Sequence, residues 1–262
     1  MCIDCGCGSK TDHHHDHHHD HDHGHEHSHH EKHDHQHDQG SRTIRIEEDL
    51  LAKNNRLATG NRNMFKQHGI FSLNLVSSPG SGKTSILERT LRDLKNEFHF
   101  AVLEGDQQTA NDADRIAATG VPVHQINTGA GCHLDAHMVA HGVEHFHLDH
   151  LDVLMIENVG NLVCPASFDL GEDHKVAVLS VTEGEDKPLK YPHMFRAADL
   201  MLINKIDLLP YLQFDLNRCL SYARQINPDM RIIELSCHSG AGMDEWYGWL
   251  RQQVTQKRLK AS

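Results

Sequence analysis

Beyond residue 69, apolar positions fall into two alternating rhythms. Short, nearly continuous apolar runs at Ile70–Val76, Phe98–Glu104, Val121–Ile126, Leu151–Glu157, Val176–Val181, Leu200–Asn204 and Arg231–Leu235 predict strands. Between them, apolar residues three and four apart predict helices over Lys83–Asn96, Ala110–Thr119, Leu134–His147, Leu212–Ile226 and Met243–Lys257. Alternation of this kind implies an α/β fold, a mostly parallel sheet covered by helices on both faces. Residues 41–69 carry Ile46, Leu50, Leu51 and Leu57 among polar positions and read as one or two amphipathic helices leading into that domain. Residues 8–40 interleave His with Asp, Glu, Gly and Ser. Such a stretch buries nothing apolar and cannot offset the entropy of ordering, so a disordered tail is expected. The expected division is therefore 1–40, 41–69 and 70–262, with no internal repeat.

Charge sharpens this division. The formal net charge of −12 over 262 residues splits into −7 for residues 1–40 (nine acids, two bases) and −5 for the rest. A polyanionic arm and the lack of a basic stripe exclude nucleic acid as the expected partner, because phosphate neutralisation needs clustered Lys and Arg. No apolar run approaches the ~20 residues of a membrane span, and no signal peptide precedes the cysteines. A cytoplasmic setting follows, where thiols stay free to ligate metal.

Two motifs point to a guanine nucleotide. Ser77-Ser78-Pro79-Gly80-Ser81-Gly82-Lys83-Thr84 lies between a predicted strand and a predicted helix. Gly80 and Gly82 let backbone N–H groups turn inward around Ser81, Lys83 reaches the outer phosphates, and the Thr84 hydroxyl suits Mg²⁺, with Ser85 following. The helix start adds its positive end. The first position of the usual pattern is Ser77 rather than Gly, a change expected to leave the phosphate chemistry untouched. About 120 residues on, Asn204-Lys205-Ile206-Asp207 follows an apolar strand. In GTPases, which this motif resembles, the Asp (here Asp207) pairs with the guanine N1–H and 2-amino group, the Asn (Asn204) braces the loop, and the stem of Lys205 lies along the base. Ser236 and Cys237 sit where GTPases place a backbone contact to guanine. Asp106 and Glu157, each ending a predicted strand, are the carboxylates expected near Mg²⁺ and the attacking water, at the sheet edge where ligands of open α/β folds bind. The expected catalytic set is Lys83, Thr84, Asp106 and Glu157; Asp114 reads as a solvated helix residue. No motif supplies a base to orient water, so turnover of GTP to GDP should be slow, on the order of ~10⁻⁴ s⁻¹.

Metal chemistry is the second theme. Cys2-x-x-Cys5-x-Cys7 crowds three thiols into six residues, a set suited to Ni²⁺, Cu or Zn²⁺. The fifteen histidines of residues 1–40 form a looser store, whose binding falls as imidazoles protonate below about pH 6. Inside the domain, Cys132-His133 opens a predicted helix, and Cys164 lies seven residues beyond Glu157. A ligand that close to a nucleotide-sensing segment would register the γ-phosphate; buried packing of the cysteines is the competing reading. His133, His137, His141 and His145 recur every four residues and form one stripe on a helix, read as a polar face more than as ligands. Cys219 and Cys237 read as structural.

Taken together, the chain resembles the HypB family, GTPases that insert nickel during maturation of [NiFe]-hydrogenase. The resemblance rests on Cys2-x-x-Cys5-Gly6-Cys7, Ser77–Thr84, Gly131-Cys132-His133-Leu134-Asp135-Ala136, Glu157–Pro165, the stretch from Ser180 to Pro188, and Asn204–Asp207. It implies a P-loop NTPase fold and a high-affinity nickel site at Cys2, Cys5 and Cys7. It further implies a nickel or zinc site at Cys132, His133 and Cys164, and dimerisation promoted by GTP. The implied partners are a second copy, a HypA-type accessory protein and the hydrogenase large subunit. A urease-type accessory GTPase is disfavoured, because that family joins Cys, Pro and His in one motif whereas Cys132-His133 and Cys164-Pro165 are separate here. A zinc or cobalt chaperone of related fold, or a passive metal store, remains an alternative.

Overall fold

The computed structural model describes residues 37–106, 111–129 and 131–261, and only the backbone over 37–47. Cys2, Cys5, Cys7 and the expected disorder of the histidine tract, up to residue 36, lie outside the described residues. The chain divides into two units, Met1–Leu50 and Leu51–Ser262. The described part of the first is helical, and the second carries every strand among the described residues.

One continuous helix, α1 (His37–Gln67), replaces the one or two expected. It opens four residues ahead of the expected boundary, where no apolar position marks a start. Seven strands follow: β1 (Phe71–Ser77), β2 (Phe100–Asp106), β3 (Val123–Asn127), β4 (Val153–Gly160), β5 (His174–Ser180), β6 (Leu200–Asn204) and β7 (Arg231–Glu234). They form one sheet in the order β3-β2-β4-β1-β5-β6-β7, and every pairing is parallel. Parallel neighbours need crossovers, which the helices supply: α2 (Lys83–Leu94), α3 (Asn111–Ala117), α4 (Ala136–Val143), the short α5 (Lys187–Lys190) and α6 (Pro192–Ala197), α7 (Leu216–Ile226) and α8 (Met243–Ala261).

Strand residues alternate between two apolar layers, as the two-residue period of a strand requires. Leu73, Leu75, Val102, Met155, Val178 and Leu202 pack with α2 and α8, where Trp246 is fully buried and its indole N–H donates to Thr90 Oγ1 at 2.9 Å. On the opposite face, Ala177, Leu179 and Met201 pack with α6 and α7, while Leu103, Leu154 and Ile156 pack with α4 and with Phe65 of α1. Chain order reverses on either side of β1, so the loop after β1 emerges at a topological switch point. That placement brings together the carboxyl ends of β1, β2, β4 and β6.

Two expected helices are shorter than their apolar spacing suggested. Asp135 accepts from Met138 N at 2.8 Å and caps α4, so the helix begins at Ala136 rather than Leu134; it ends at Val143 rather than His147. Asp215 does the same for α7, leaving residues 206–211 as a 3-10 turn. Among the described residues, no helix is long and apolar enough to cross a membrane.

Candidate nucleotide and metal site

The loop after β1 turns on glycine. Gly80 and Gly82 have φ of +74° and +97°, and a Cβ at Gly82 would stand 2.4 Å from Asn204 Nδ2. Both the left-handed backbone and the close approach require glycine there. Lys83 and Thr84 open α2 and are buried, and the Lys83 ammonium donates to Ser77 Oγ at 2.9 Å. Ser77 is therefore not indifferent to the site, as its place in the sequence suggested, but holds the phosphate-loop lysine.

Asn204 ends β6 and donates to the Ser81 carbonyl at 2.9 Å, while Lys205 Nζ donates to the Gly80 carbonyl at 2.7 Å. Lys205 alone among described non-glycine residues has positive φ, +65°, which aims its side chain back over the loop. Asp207 accepts from Ser236 Oγ at 2.5 Å, and the Cys237 thiol lies 3.7 Å from Asn204 Oδ1. These residues line a cavity of about 440 Å³. It meets a second cavity, of about 500 Å³, at Gly82, Ser85 and Lys205; the second is lined by the loop, Asp106, Asp112, Arg115 and Glu157. One cavity is walled by Asn204, Lys205 and Asp207 and the other by the loop after β1.

Three ionisable groups are buried behind the loop. Glu157 of β4 and Glu104 of β2 sit opposite one another in the parallel pairing. Thr84 Oγ1 donates to Glu157 Oε1 at 2.7 Å, whereas Glu157 Oε2 and Glu104 Oε2 are buried without a hydrogen-bond partner. Burial pushes Glu157 above the ordinary carboxylate range, against the pull of Lys83. Burial, and then the charges of Glu157, Asp106 and Asp112, push Glu104 up to about 8. Lys83 is pushed down by the same burial, with Glu157 opposing. Desolvation thus moves all three toward their uncharged forms.

Cys132, His133 and Cys164 come together. One ligand atom from each lies within 4.8 Å of the others, with Cys132 Sγ 3.6 Å from His133 Nδ1. Cys164 is buried and the other two are half-buried. The His133 ring packs on Phe168 with centroids 3.9 Å apart, and burial lowers its pKa, keeping a neutral imidazole available as a ligand. The three side chains are thus near enough to one another to hold a single ion between them.

The loop of Cys132 and His133 is tied to the end of β4 by Asn158, the residue after Glu157. Its Oδ1 accepts from Leu134 N at 3.1 Å and from Val159 N at 3.0 Å, and its Nδ2 donates to Asn74 Oδ1. From α1, Asn54 accepts from Ala136 N and donates to Asp169 O, while Asn61 donates to Ala136 O and Leu170 O. These bonds fix Ala136, three residues after His133, and the carbonyls of Asp169 and Leu170. Gly105, between Glu104 and Asp106, lies so near Leu134 that a Cβ there would stand 2.8 Å from Leu134 Cγ.

Other expected positions fall differently. The four-histidine stripe is not continuous: His133 precedes α4, and His145 follows it to stack on His124 at 3.8 Å between centroids. Asp114 is exposed on α3, and its neighbour Asp112 lines the phosphate cavity instead, bound by Arg115 at 3.2 Å. Lys187, noticed only within the stretch Ser180–Pro188, donates to Ser78 Oγ at 3.1 Å. Cys219 is buried and its thiol is pushed up to about 12; burial pushes Cys237 up to about 11, although it borders the base cavity.

Residues 72–234 match the family described as CobW/HypB/UreG, nucleotide-binding domain. Over 223 residues the chain is 62% identical to hydrogenase maturation factor HypB of Azotobacter vinelandii, covering 84% of this chain and 73% of that protein. It belongs to the HypB family. HypB of Escherichia coli (strain K12) is 63% identical over 212 residues, 81% of this chain and 73% of that one. The solved structure of HypB from Archaeoglobus fulgidus superposes with a TM-score of 0.73 at 42% identity, covering 78% of this chain and 99% of that chain. HypB from Helicobacter pylori, solved in complex with nickel, gives 0.74 at 39% identity, covering 79% and 97%. The seven-stranded parallel sheet is therefore the HypB fold, and the chain is a hydrogenase maturation factor by family.

Proposed function

We propose that this protein hydrolyses GTP to GDP and that the nucleotide state governs its hold on a nickel ion, which it delivers during hydrogenase maturation. The guanine would lie against Asp207, Asn204, Lys205, Ser236 and Cys237, and the phosphates in the loop of Gly80, Ser81, Gly82, Lys83, Thr84 and Ser85. Arrival of phosphate gives the Lys83 amine an anion to face, in place of Ser77, which favours its charged form. Thr84, Asp106 and Glu157 fit a magnesium ion, since Glu157 Oε2 is buried with no hydrogen-bond partner and Asp106 borders the same cavity. A magnesium ion held there would supply positive charge to offset that of the outer phosphates.

Nickel is the cargo. Cys132, His133 and Cys164 would hold it in the domain, with zinc competing for the same soft donors, and Cys2, Cys5, Cys7 and the histidine tract would supply it. Pairing of two copies promoted by GTP or metal, and hand-over involving a HypA-type protein and the hydrogenase large subunit, complete the proposal. They rest on family membership.

The observation that carries this reading is the bond from Leu134 N to Asn158, which joins the metal-bearing segment to the strand end that bears Glu157. A shift of that strand end on loss of γ-phosphate would move a ligand neighbour directly. The test is a single-turnover experiment on nickel-loaded full-length protein, with a chromogenic chelator in solution. Nickel transfer to the chelator should track phosphate release from GTP; transfer at one rate with or without hydrolysis would contradict the proposal.

A further inference from the structure

Strands covered on both faces of a parallel sheet are ordinarily apolar throughout. Asn74 of β1 and Lys175 of β5 nevertheless stand opposite one another in two adjacent strands, and both are buried. The Lys175 ammonium donates to the carbonyls of Pro165 at 2.9 Å, Phe168 at 3.1 Å and Ala166 at 3.3 Å, a partner for each of its three N–H groups. Glu172 Oε1 lies 3.8 Å from the same nitrogen and accepts from Asn74 Nδ2 at 3.0 Å, while Glu172 Oε2 accepts from Leu170 N. Asn74 Oδ1 in turn accepts from Asn158, whose Oδ1 holds Leu134 N. One buried polar chain thus runs from the residue after His133, through Asn158, Asn74, Glu172 and Lys175, to the residues after Cys164. We infer that Lys175 is a positioning residue for the metal trio, setting where Cys164 stands relative to Cys132 and His133 before an ion arrives.

A buried ammonium is costly unless its protons are bonded, and an apolar side chain would fill the same space without that cost. What the amine adds is three directed bonds, and all three fall on the limb that bears Cys164. Cys164–Ala166 is a single 3-10 turn, closed by a bond from Ala166 N to Val163 O. So short a turn cannot satisfy its last carbonyls from within. Lys175 gathers two of them, with the Phe168 carbonyl, onto one nitrogen. Phe168 also supplies the ring on which His133 packs. The clamp therefore fixes the backbone beside a thiol ligand together with the seat of the imidazole. Ligands ordered beforehand lose less freedom when an ion binds. Groups that orient metal ligands in this way govern affinity by roughly 10- to 100-fold.

Lys175 can position nickel ligands only if Cys132, His133 and Cys164 bind nickel, so the role rests on that reading and is tested with metal absent as well as present. In metal-free full-length protein, alkylation of Cys164 and Cys219 is followed by peptide mass spectrometry. Both thiols are buried, but Cys219 lies on α7, outside the polar chain. Lys175→Met should speed alkylation of Cys164 at least about tenfold, the equivalent of one lost charged hydrogen bond, and leave Cys219 unchanged. Lys175→Gln keeps two N–H donors on a shorter stem; it should give a smaller acceleration, and it serves if the methionine variant does not fold. An unchanged Cys164 rate, or equal acceleration of both thiols, would overturn the positioning role. With nickel present, the thiolate-to-nickel absorption that depends on Cys164 is taken as the difference from Cys164→Ser. Reaching it should need roughly 10 to 100 times more Ni²⁺ in Lys175→Met, with GTP affinity kept. An unaltered nickel requirement would also overturn the role. Absence of that absorption from the wild-type protein would contradict the nickel reading instead, and the alkylation rates alone would then decide whether Lys175 holds Cys164.

Discussion

Asn158 Oδ1 accepts the backbone N–H of Leu134 at 3.1 Å, so the residue after Glu157 holds the residue after His133. A single side chain thus spans from the end of β4, beside the cavity lined by Lys83 and Thr84, to the loop carrying Cys132 and His133. Long-range coupling needs an element that both sites can bias, and this bond supplies the contact through which they would do so. Gly105 adds a second contact, pressing β2 against the Leu134 side chain.

Asn158→Ala removes the acceptor of a buried N–H and should cost about 1–3 kcal/mol in stability. GTP affinity should stay within about threefold, because no nucleotide-facing group is lost, whereas the difference in nickel affinity between nucleotide states should collapse. Calorimetric nickel titrations of the variant in both states, beside denaturant unfolding, check both halves.

Lys83→Ala should weaken GTP about 100-fold, corresponding to the ~3 kcal/mol of a lost charged contact. The fold should survive, since the amine bonds only Ser77 in the free protein. Fluorescent-nucleotide binding measures the loss, and micromolar affinity in the variant would contradict the phosphate-loop assignment.

Asp207→Asn exchanges an acceptor-only carboxylate for an amide that suits a 2-oxo base. GTP should bind at least about tenfold more weakly and xanthosine triphosphate should become the better ligand. Competition between the two nucleotides reports this, and an unchanged order of preference would remove Asp207 from the base site.

Glu104 gives a pH signature in the ligand-free protein. Its carboxyl ionises near 4.5 when unfolded and near 8 when folded. Between these values the folded state holds a proton that the unfolded state lacks, so stability falls as pH rises across the window. Glu104→Gln removes this contribution. The decline in Tm from about pH 5 to about pH 8 should be shallower in the variant, by differential scanning fluorimetry without nucleotide or metal.

Much of this was legible in the sequence because the chemistry is local. The phosphate loop, the Asn204–Asp207 motif and the Cys132-His133 pair are each contiguous, and apolar runs located all seven strands. Strand ends slipped by two or three residues where polar carboxyl termini such as Asp106 carry no apolar signal. The expected Leu134–His147 helix shortened because Asp135, a cap by chemistry, sits inside an apolar rhythm. Asn54, Asn61 and Asp112 were missed for another reason. Each acts through contacts with residues distant in sequence, and no spacing marks a lone polar residue as a clamp.

The most direct test of the coupling is the nickel dissociation constant of full-length protein loaded first with GDP and then with a non-hydrolysable GTP analogue, resolved for the Cys132, His133 and Cys164 site by subtracting a Cys164→Ser control. Coupling energies of about 1–3 kcal/mol predict values differing by at least about fivefold between the two states. Equal values would leave a nucleotide site and a metal site that share a fold without communicating.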